Sequence, residues 1–480
     1  MRTCQARYNP REVRGLALRP VLVVALLKSA LGLAFAGRYG WQRDELYYAV
    51  ASRHLQGGYV EFPPVTALLA WFDRQLFGDS LIGLRLLTIL AGAVVVVLAA
   101  MISRELGGGR RAQVLAAVLV GFSPLLVATN NLFQPVTFDQ LVTMCMLFLA
   151  LRIALGRGSW VLLGLAIGIG LETKYTLAVV LVVMLIAFLI FRRDALEPRG
   201  VATAAAIGAV LMIPNLLWQL DHSWASVRWF VNPPSSATDE SRPAYIGNVI
   251  LLTGLVSFPV AVAGIRMLLR DRALRPFGWT VIGVVVAYFA LGGKSYYALP
   301  VMLFALAAGS LPLDRWATAR RLRIAGTAFV LLLVVLLPLG LPVLPVKTAD
   351  KLGIIDARSD YQDELGWHQL ARTVEDVSRG ADVIITVNYG EAGALILNGH
   401  GLPPVASGDV TFRYWRPQVT GRQALVVGFY RREATFCGPD WRVVAHIHMP
   451  VDNEERGLPI ARCTLDGSLA QVWSRVLAFY

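Results

Sequence analysis

Long apolar stretches recur through the first 346 residues, separated by short polar segments. They fall near 17–37, 80–103, 112–129, 137–155, 159–172, 175–191, 200–220, 246–268, 276–292, 297–312 and 324–346. A bilayer core of about 30 Å takes about 20 apolar residues per helical crossing. The pattern therefore predicts about 11 transmembrane helices. Two of these share the run 159–191, which Glu172-Thr173-Lys174-Tyr175 interrupts. That break reads either as the polar end of one span or as a tight reversal. The run is too long for one tilted crossing, so two spans are assigned. Residues 45–56 and 64–77 have amphipathic helical spacing, as expected of helices lying along the membrane surface.

From about residue 347 the pattern changes to polar and mixed-charge. Residues 361–379 have helical spacing, while Val383-Ile384-Ile385-Thr386-Val387 and Ala424-Leu425-Val426-Val427-Gly428 read as short buried strands. The expected fold is an α-helical polytopic membrane protein. Residues 1–346 form its transmembrane domain, with a first outer loop at 38–79. Residues 347–480 form a small C-terminal extracytoplasmic α/β domain.

Composition supports that class. Of 480 residues, 56% are hydrophobic and 16% charged, against about 25% charged in soluble domains. A soluble globule cannot hide so much apolar side chain, and disordered chains lack it. The net charge of +13 is explained by where it sits. Twenty-one Lys and Arg residues fall on predicted inner segments and eight on the outer loops before residue 347. This follows the positive-inside rule, with a cytoplasmic N-terminus, and removes nucleic acid as a partner. Ala34-Phe35-Ala36 could end a cleaved signal, but the long basic region and Lys28 favour an uncleaved first helix. Cys437 and Cys463 are read equally as a disulfide or as two free thiols.

The chemistry gathers on the outer side. The first outer loop carries Arg43-Asp44-Glu45-Leu46-Tyr47-Tyr48 and Tyr59-Val60-Glu61-Phe62-Pro63-Pro64. Its aromatics alone would make an interfacial belt. The carboxylate pair beside Arg43 is the sharper feature. Neighbours on a helix diverge, so Asp44 and Glu45 share a site only if a helix starts there. Asp139 opens the fourth span, where it could simply favour the helix dipole. Lys174 and Tyr175 sit at the 172–175 break, Lys294, Tyr296 and Tyr297 end the ninth span, and His222 follows Trp218. Each could be a capping or snorkelling residue, but ionisable groups near membrane depth are costly and together define a site. On the outer face an activated sugar must arrive on a lipid phosphate. That leaving group needs no acid, only a base for the acceptor and cations for the phosphate. Asp44 is the candidate base; Lys174, Arg43 and Lys294 are candidate phosphate clamps.

These motifs resemble glycosyltransferase family 39, of the GT-C fold, which includes protein O-mannosyltransferases and aminoarabinose transferases acting on lipid A. Beyond the two loop motifs, the resemblance is carried by Gly170-Leu171-Glu172-Thr173-Lys174-Tyr175, Pro214-Asn215-Leu216-Leu217-Trp218-Gln219, Lys294-Ser295-Tyr296-Tyr297 and Tyr389-Gly390-Glu391-Ala392-Gly393-Ala394. It implies a polyprenyl-phosphate-linked sugar donor, a lipid, glycan or protein acceptor, and an outward-facing site in the cell membrane. It places the base on Asp44, a second acid on Asp139 and a donor-phosphate contact on Lys174. Arg43, Glu45, Tyr47, Glu61, Pro63, Tyr175, His222, Lys294, Tyr296 and Tyr297 complete the expected substrate-binding set. The aminoarabinose enzymes carry Glu-Lys-Pro where this chain has Glu61-Phe62-Pro63, which puts that acceptor and sugar in question. No cofactor is assigned; a divalent cation held by Glu61, with His222, is left open. The rival classes are a lipid or glycolipid flippase, which would carry midplane charges and related halves, and a cell-envelope scaffold.

Overall fold

In the computed structural model, residues 15–231 and 240–477 are described. Cys4 and the N-terminal basic residues from Arg2 to Arg14 lie outside them. The described residues form two compact units. The first comprises residues 15–36, Arg85–Pro214 and 240–341, and the second Gly37–Leu84, 215–231 and 342–477. The first outer loop thus groups with the C-terminal segment, not with the helices flanking it in sequence.

The first unit is helical, and every predicted apolar stretch folds as helix. Five helices are long and apolar enough to cross a membrane: Leu18–Phe35, Leu81–Glu105, Pro135–Ala154, Pro198–Asp221 and Ala319–Gly340. Trp160–Leu171, Leu177–Phe191 and Arg275–Leu291 are shorter apolar helices. Two predicted spans are broken. Stretch 112–129 ends its first helix at Gly121 and starts another at Pro124 behind a Ser123 cap. Stretch 246–268 divides into Arg242–Thr253 and Phe258–Arg270, bent by 92°. Gly254 at φ 104° ends the first of these, and Pro259 suits the first turn of the second.

The helix Leu299–Trp316 is buried from Leu299 to Leu311. Helix Phe258–Arg270 packs on it through small residues. A side chain at Gly264 would strike the Ala305 carbonyl, and one at Gly309 the Val260 carbonyl. Such close backbone approach gives tight van der Waals packing where lipid offers no hydrophobic drive. Lys28, which interrupts the first apolar run, donates to the Asn130 side chain. Its burial therefore has a structural explanation.

In the second unit, residues 383–464 build a five-stranded mixed sheet. Its strands are β1 (Val383–Thr386), β2 (Val405–Ser407), β3 (Gln423–Val427), β4 (Arg442–His446) and β5 (Pro459–Thr464). Their order is β2-β1-β3-β5-β4, parallel among the first three and antiparallel beyond. β1 is buried at every position, which explains its continuous apolar run. Cys437 and Cys463 are disulfide-bonded. Stretch 361–379 is helical only over Trp367–Val377, after a short turn at Ser359–Gln362.

The predicted helix 45–56 runs instead from Arg43 to Ala51, and all of Glu45–Ala51 is buried. It is an interior helix and not a surface one. By contrast, helix Val65–Phe77 keeps the amphipathic character expected. Leu68, Trp71, Phe72 and Leu76 are exposed on it.

Candidate active site

Two polar clusters emerge, one in each unit. The cluster in the second unit begins at the N-terminus of the Arg43–Ala51 helix. Gln42 caps it by accepting from the Asp44 amide at 2.7 Å, and the Glu45 carboxylate accepts from the Gln42 amide at 2.9 Å. This capping box satisfies helix-end donors that would otherwise be lost. It also separates the two carboxylates: Glu45, fully buried, serves the cap, while Asp44 points elsewhere.

Asp44 Oδ1 accepts a 2.8 Å hydrogen bond from the Tyr389 hydroxyl. Tyr389 begins the helix Tyr389–Asn398, directly after β1. Asn388 caps that helix and Glu391 closes its capping box. In open sheets, functional groups gather at the carboxyl ends of parallel strands, and Asp409 and Thr411 follow β2 in the same way. The motif glycines have a packing role. A side chain at Gly390 would strike the Arg43 stem, and one at Gly393 the Leu46 side chain. Their absence lets the Tyr389 helix lie directly against the Asp44 helix.

A second carboxylate–phenol pair stands beside the first. Tyr47 donates to Glu61 Oε2 at 2.8 Å, and the Thr411 amide donates to the Tyr47 hydroxyl at 3.3 Å. Thr411 follows Val410, a β-branched residue held at φ 37°, a conformation that is costly for such a side chain. The Tyr47 and Tyr389 rings lie 5.1 Å apart. Burial raises both carboxyls, Asp44 above its ordinary value and Glu61 well above its own; the tyrosine bonds act in the opposite direction.

Arg43, expected among the phosphate clamps, is ion-paired with Asp363 at 3.2 Å, Glu454 at 3.0 Å and Glu455 at 2.8 Å. Its guanidinium is thus held by three carboxylates of the C-terminal segment. Pro63 is buried in the turn before helix Val65–Phe77. His222 stacks on Trp218 at 4.1 Å and bonds the Trp218 carbonyl through Nδ1 at 2.9 Å. Glu61 and His222 are thus engaged separately. Among the described residues no group of three or more His, Cys, Asp or Glu is placed to hold a metal ion. These residues do not fit a divalent-cation site.

The cluster in the first unit is cationic. Lys174 lies in the turn between helices Trp160–Leu171 and Leu177–Phe191. Its ammonium sits 4.9 Å and 4.7 Å from the ring centroids of Tyr296 and Tyr297. Asp139 and Lys294 both interact electrostatically with it, and Asp139 also accepts from Thr176 at 3.4 Å. Lys294 is exposed, and Tyr175 is half-buried in the same turn as Lys174. Of the residues expected in one site, Asp139, Lys174, Tyr296 and Tyr297 thus lie together here. Sequence reasoning missed Tyr389, Asp409, Thr411, Asp363 and Glu455 as site residues. The usable signal was a helix cap immediately after a buried parallel strand.

Architecture and site together define a polytopic helical membrane protein with an acid–phenol centre in its sheet-bearing unit. Residues 61–218 match the family model "Dolichyl-phosphate-mannose-protein mannosyltransferase". The chain is 30% identical over 339 residues to undecaprenyl phosphate-alpha-4-amino-4-deoxy-L-arabinose arabinosyl transferase 1 of Pseudomonas fluorescens. That match covers 63% of this chain and 60% of the relative, so the chain spans under two thirds of that protein's length. Lipid A galacturonosyltransferase RgtD of Rhizobium johnstonii is 29% identical over 191 residues, covering 38% of this chain and 40% of its own. The structure of ArnT from Cupriavidus metallidurans in the apo state shares the fold, with TM-score 0.64 and 16% identity over 92% of this chain and 97% of that one. Over part of its length the chain is thus similar to this mannosyltransferase family and to the aminoarabinose transferases, and it shares the ArnT fold.

Proposed function

We propose that this protein is a membrane glycosyltransferase moving a sugar from a polyprenyl-phosphate donor, undecaprenyl phosphate in its relatives' chemistry, to an extracytoplasmic acceptor. The acceptor class is a lipid A-like glycolipid, as the relative RgtD's name indicates. The observation that carries the reading is the Asp44 carboxylate, bonded through one oxygen to Tyr389. Its other oxygen is the proton-accepting atom in this mechanism.

An acceptor hydroxyl loses its proton to Asp44 as its oxygen attacks the anomeric carbon. The bond from that carbon to the phosphate oxygen breaks on the opposite side, and polyprenyl phosphate departs as an anion. The product is inverted. Lys174, with Lys294, is assigned to the donor phosphate, and the Tyr296 and Tyr297 rings hold the ammonium by cation–π attraction. Glu61 and Tyr47 are assigned to the acceptor sugar's hydroxyls. The Cys437–Cys463 disulfide supports an oxidising, extracytoplasmic setting for residues 347–480, and the distribution of basic residues supports the same orientation.

Mass spectrometry of lipids co-purifying with the full-length protein tests the donor. A polyprenyl phosphate, free or sugar-linked, is the expected species. Recovery of bulk phospholipid alone would remove this donor class.

A further inference from the structure

We infer that Tyr389 is a positioning residue for Asp44, through which the outer sheet domain orients the carboxylate and keeps it in its basic, ionised form. This inference rests on Asp44 being the base. The hydroxyl is a single 2.8 Å donor to Oδ1, and everything behind it is fixed. The Tyr389 amide donates to Asp409 Oδ2 at 3.1 Å. Its helix is capped by Asn388 and abuts the Asp44 helix through Gly390 and Gly393. The ring is held against Tyr47. A phenol delivered so rigidly does more than fill space.

Carboxylates face Asp44 from several elements, and most of them oppose its ionisation. Glu45 lies on its own helix, Asp360 and Asp363 come from the segment before Trp367, and Glu61 comes from the loop motif. Arg43 is the favourable cation, but it is shared with Asp363, Glu454 and Glu455. In such surroundings a hydrogen bond to the charged form is the remaining means of holding Asp44 ionised. It engages Oδ1 and leaves Oδ2 outside that bond.

The test is the titration of Asp44 in the full chain, read by infrared difference between wild type and Asp44→Asn. Tyr389→Phe keeps the ring and removes the donor. It should move the titration upward by about one pH unit or more. Incorporating 3-fluorotyrosine at position 389, a more acidic phenol of nearly the same size, should move it downward. This arm also covers the case in which Tyr389→Phe folds poorly. An Asp44 titration that stays in place with fluorotyrosine, or moves upward, overturns the inference. Full transfer activity in Asp44→Asn would instead sink the base assignment, so the two failures are distinguishable.

Discussion

The two clusters are built from opposite materials. In the second unit, carboxylates crowd Asp44, and the neighbouring guanidinium of Arg43 is held by three acids. In the first unit, Lys174 lies between two aromatic rings with Asp139 as the neighbouring acid. Charge surplus tells what each cluster lacks. An acid-rich centre tuned by phenols is suited to taking a proton. A cation walled by π-faces is suited to receiving an anion. On the proposed reading, acceptor activation falls to one unit and leaving-group capture to the other.

The sharpest way to break that division is to remove each centre and measure both functions. Asp44→Asn should cut transfer by about 10³-fold or more, within the range of a general base, while undecaprenyl phosphate still binds. Lys174→Met should weaken undecaprenyl phosphate binding by about 10²-fold, as for one electrostatic contact to a charged group. Native mass spectrometry with undecaprenyl phosphate reads the binding arm. Asp44→Asn losing the lipid while Lys174→Met keeps it would reverse the assignment.

A smaller effect is expected on folding. Arg43→Met leaves Asp363 and Glu455 without their cation, and Glu455 is fully buried. Breaking a buried pair in this way costs about 3–5 kcal/mol. The loss should appear as a lower unfolding midpoint for the purified protein. A simultaneous Glu455→Gln should recover part of it. An unchanged midpoint would show that Arg43 is free to serve a ligand after all.

The two regions also differ in how much their sequence disclosed. Hydropathy period locates helices well, and each apolar stretch in the first 346 residues is helical. It cannot see breaks such as Gly254–Ser257, because the apolar run continues through them. Asp139, Lys174, Tyr296 and Tyr297 were legible because charges and paired aromatics stand out in apolar surroundings. The second unit hid its site for a physical reason. Tyr389 and Asp44 are 345 positions apart, and nothing local to either reveals the other. Gly390 and Gly393 read as a motif, but their purpose appears only once a second helix lies against them. Likewise Arg43 read as an available cation because its partners Asp363, Glu454 and Glu455 are distant in sequence.

Acidity should act on the second unit through its raised carboxyls. Burial, then crowding with Asp44 and Glu455, raises Asp363 to about 7, although Arg43 pulls it down. Glu455 is raised as well, chiefly by burial. A carboxyl whose folded-state value exceeds its unfolded value binds its proton more tightly when folded. The stability this contributes is fully present below the unfolded value near 4, and is lost as pH rises through about 7. Lowering the pH from 8 toward 5 should therefore raise the unfolding midpoint of the sheet unit, followed by hydrogen exchange in β1 and β3. Transfer should fall once acidification protonates Asp44, whose carboxyl burial raises, because a protonated Asp44 cannot act as base. Opposite responses of stability and activity to acidification distinguish a base within an acid network from a structural ion-pair cluster, where both would decline together.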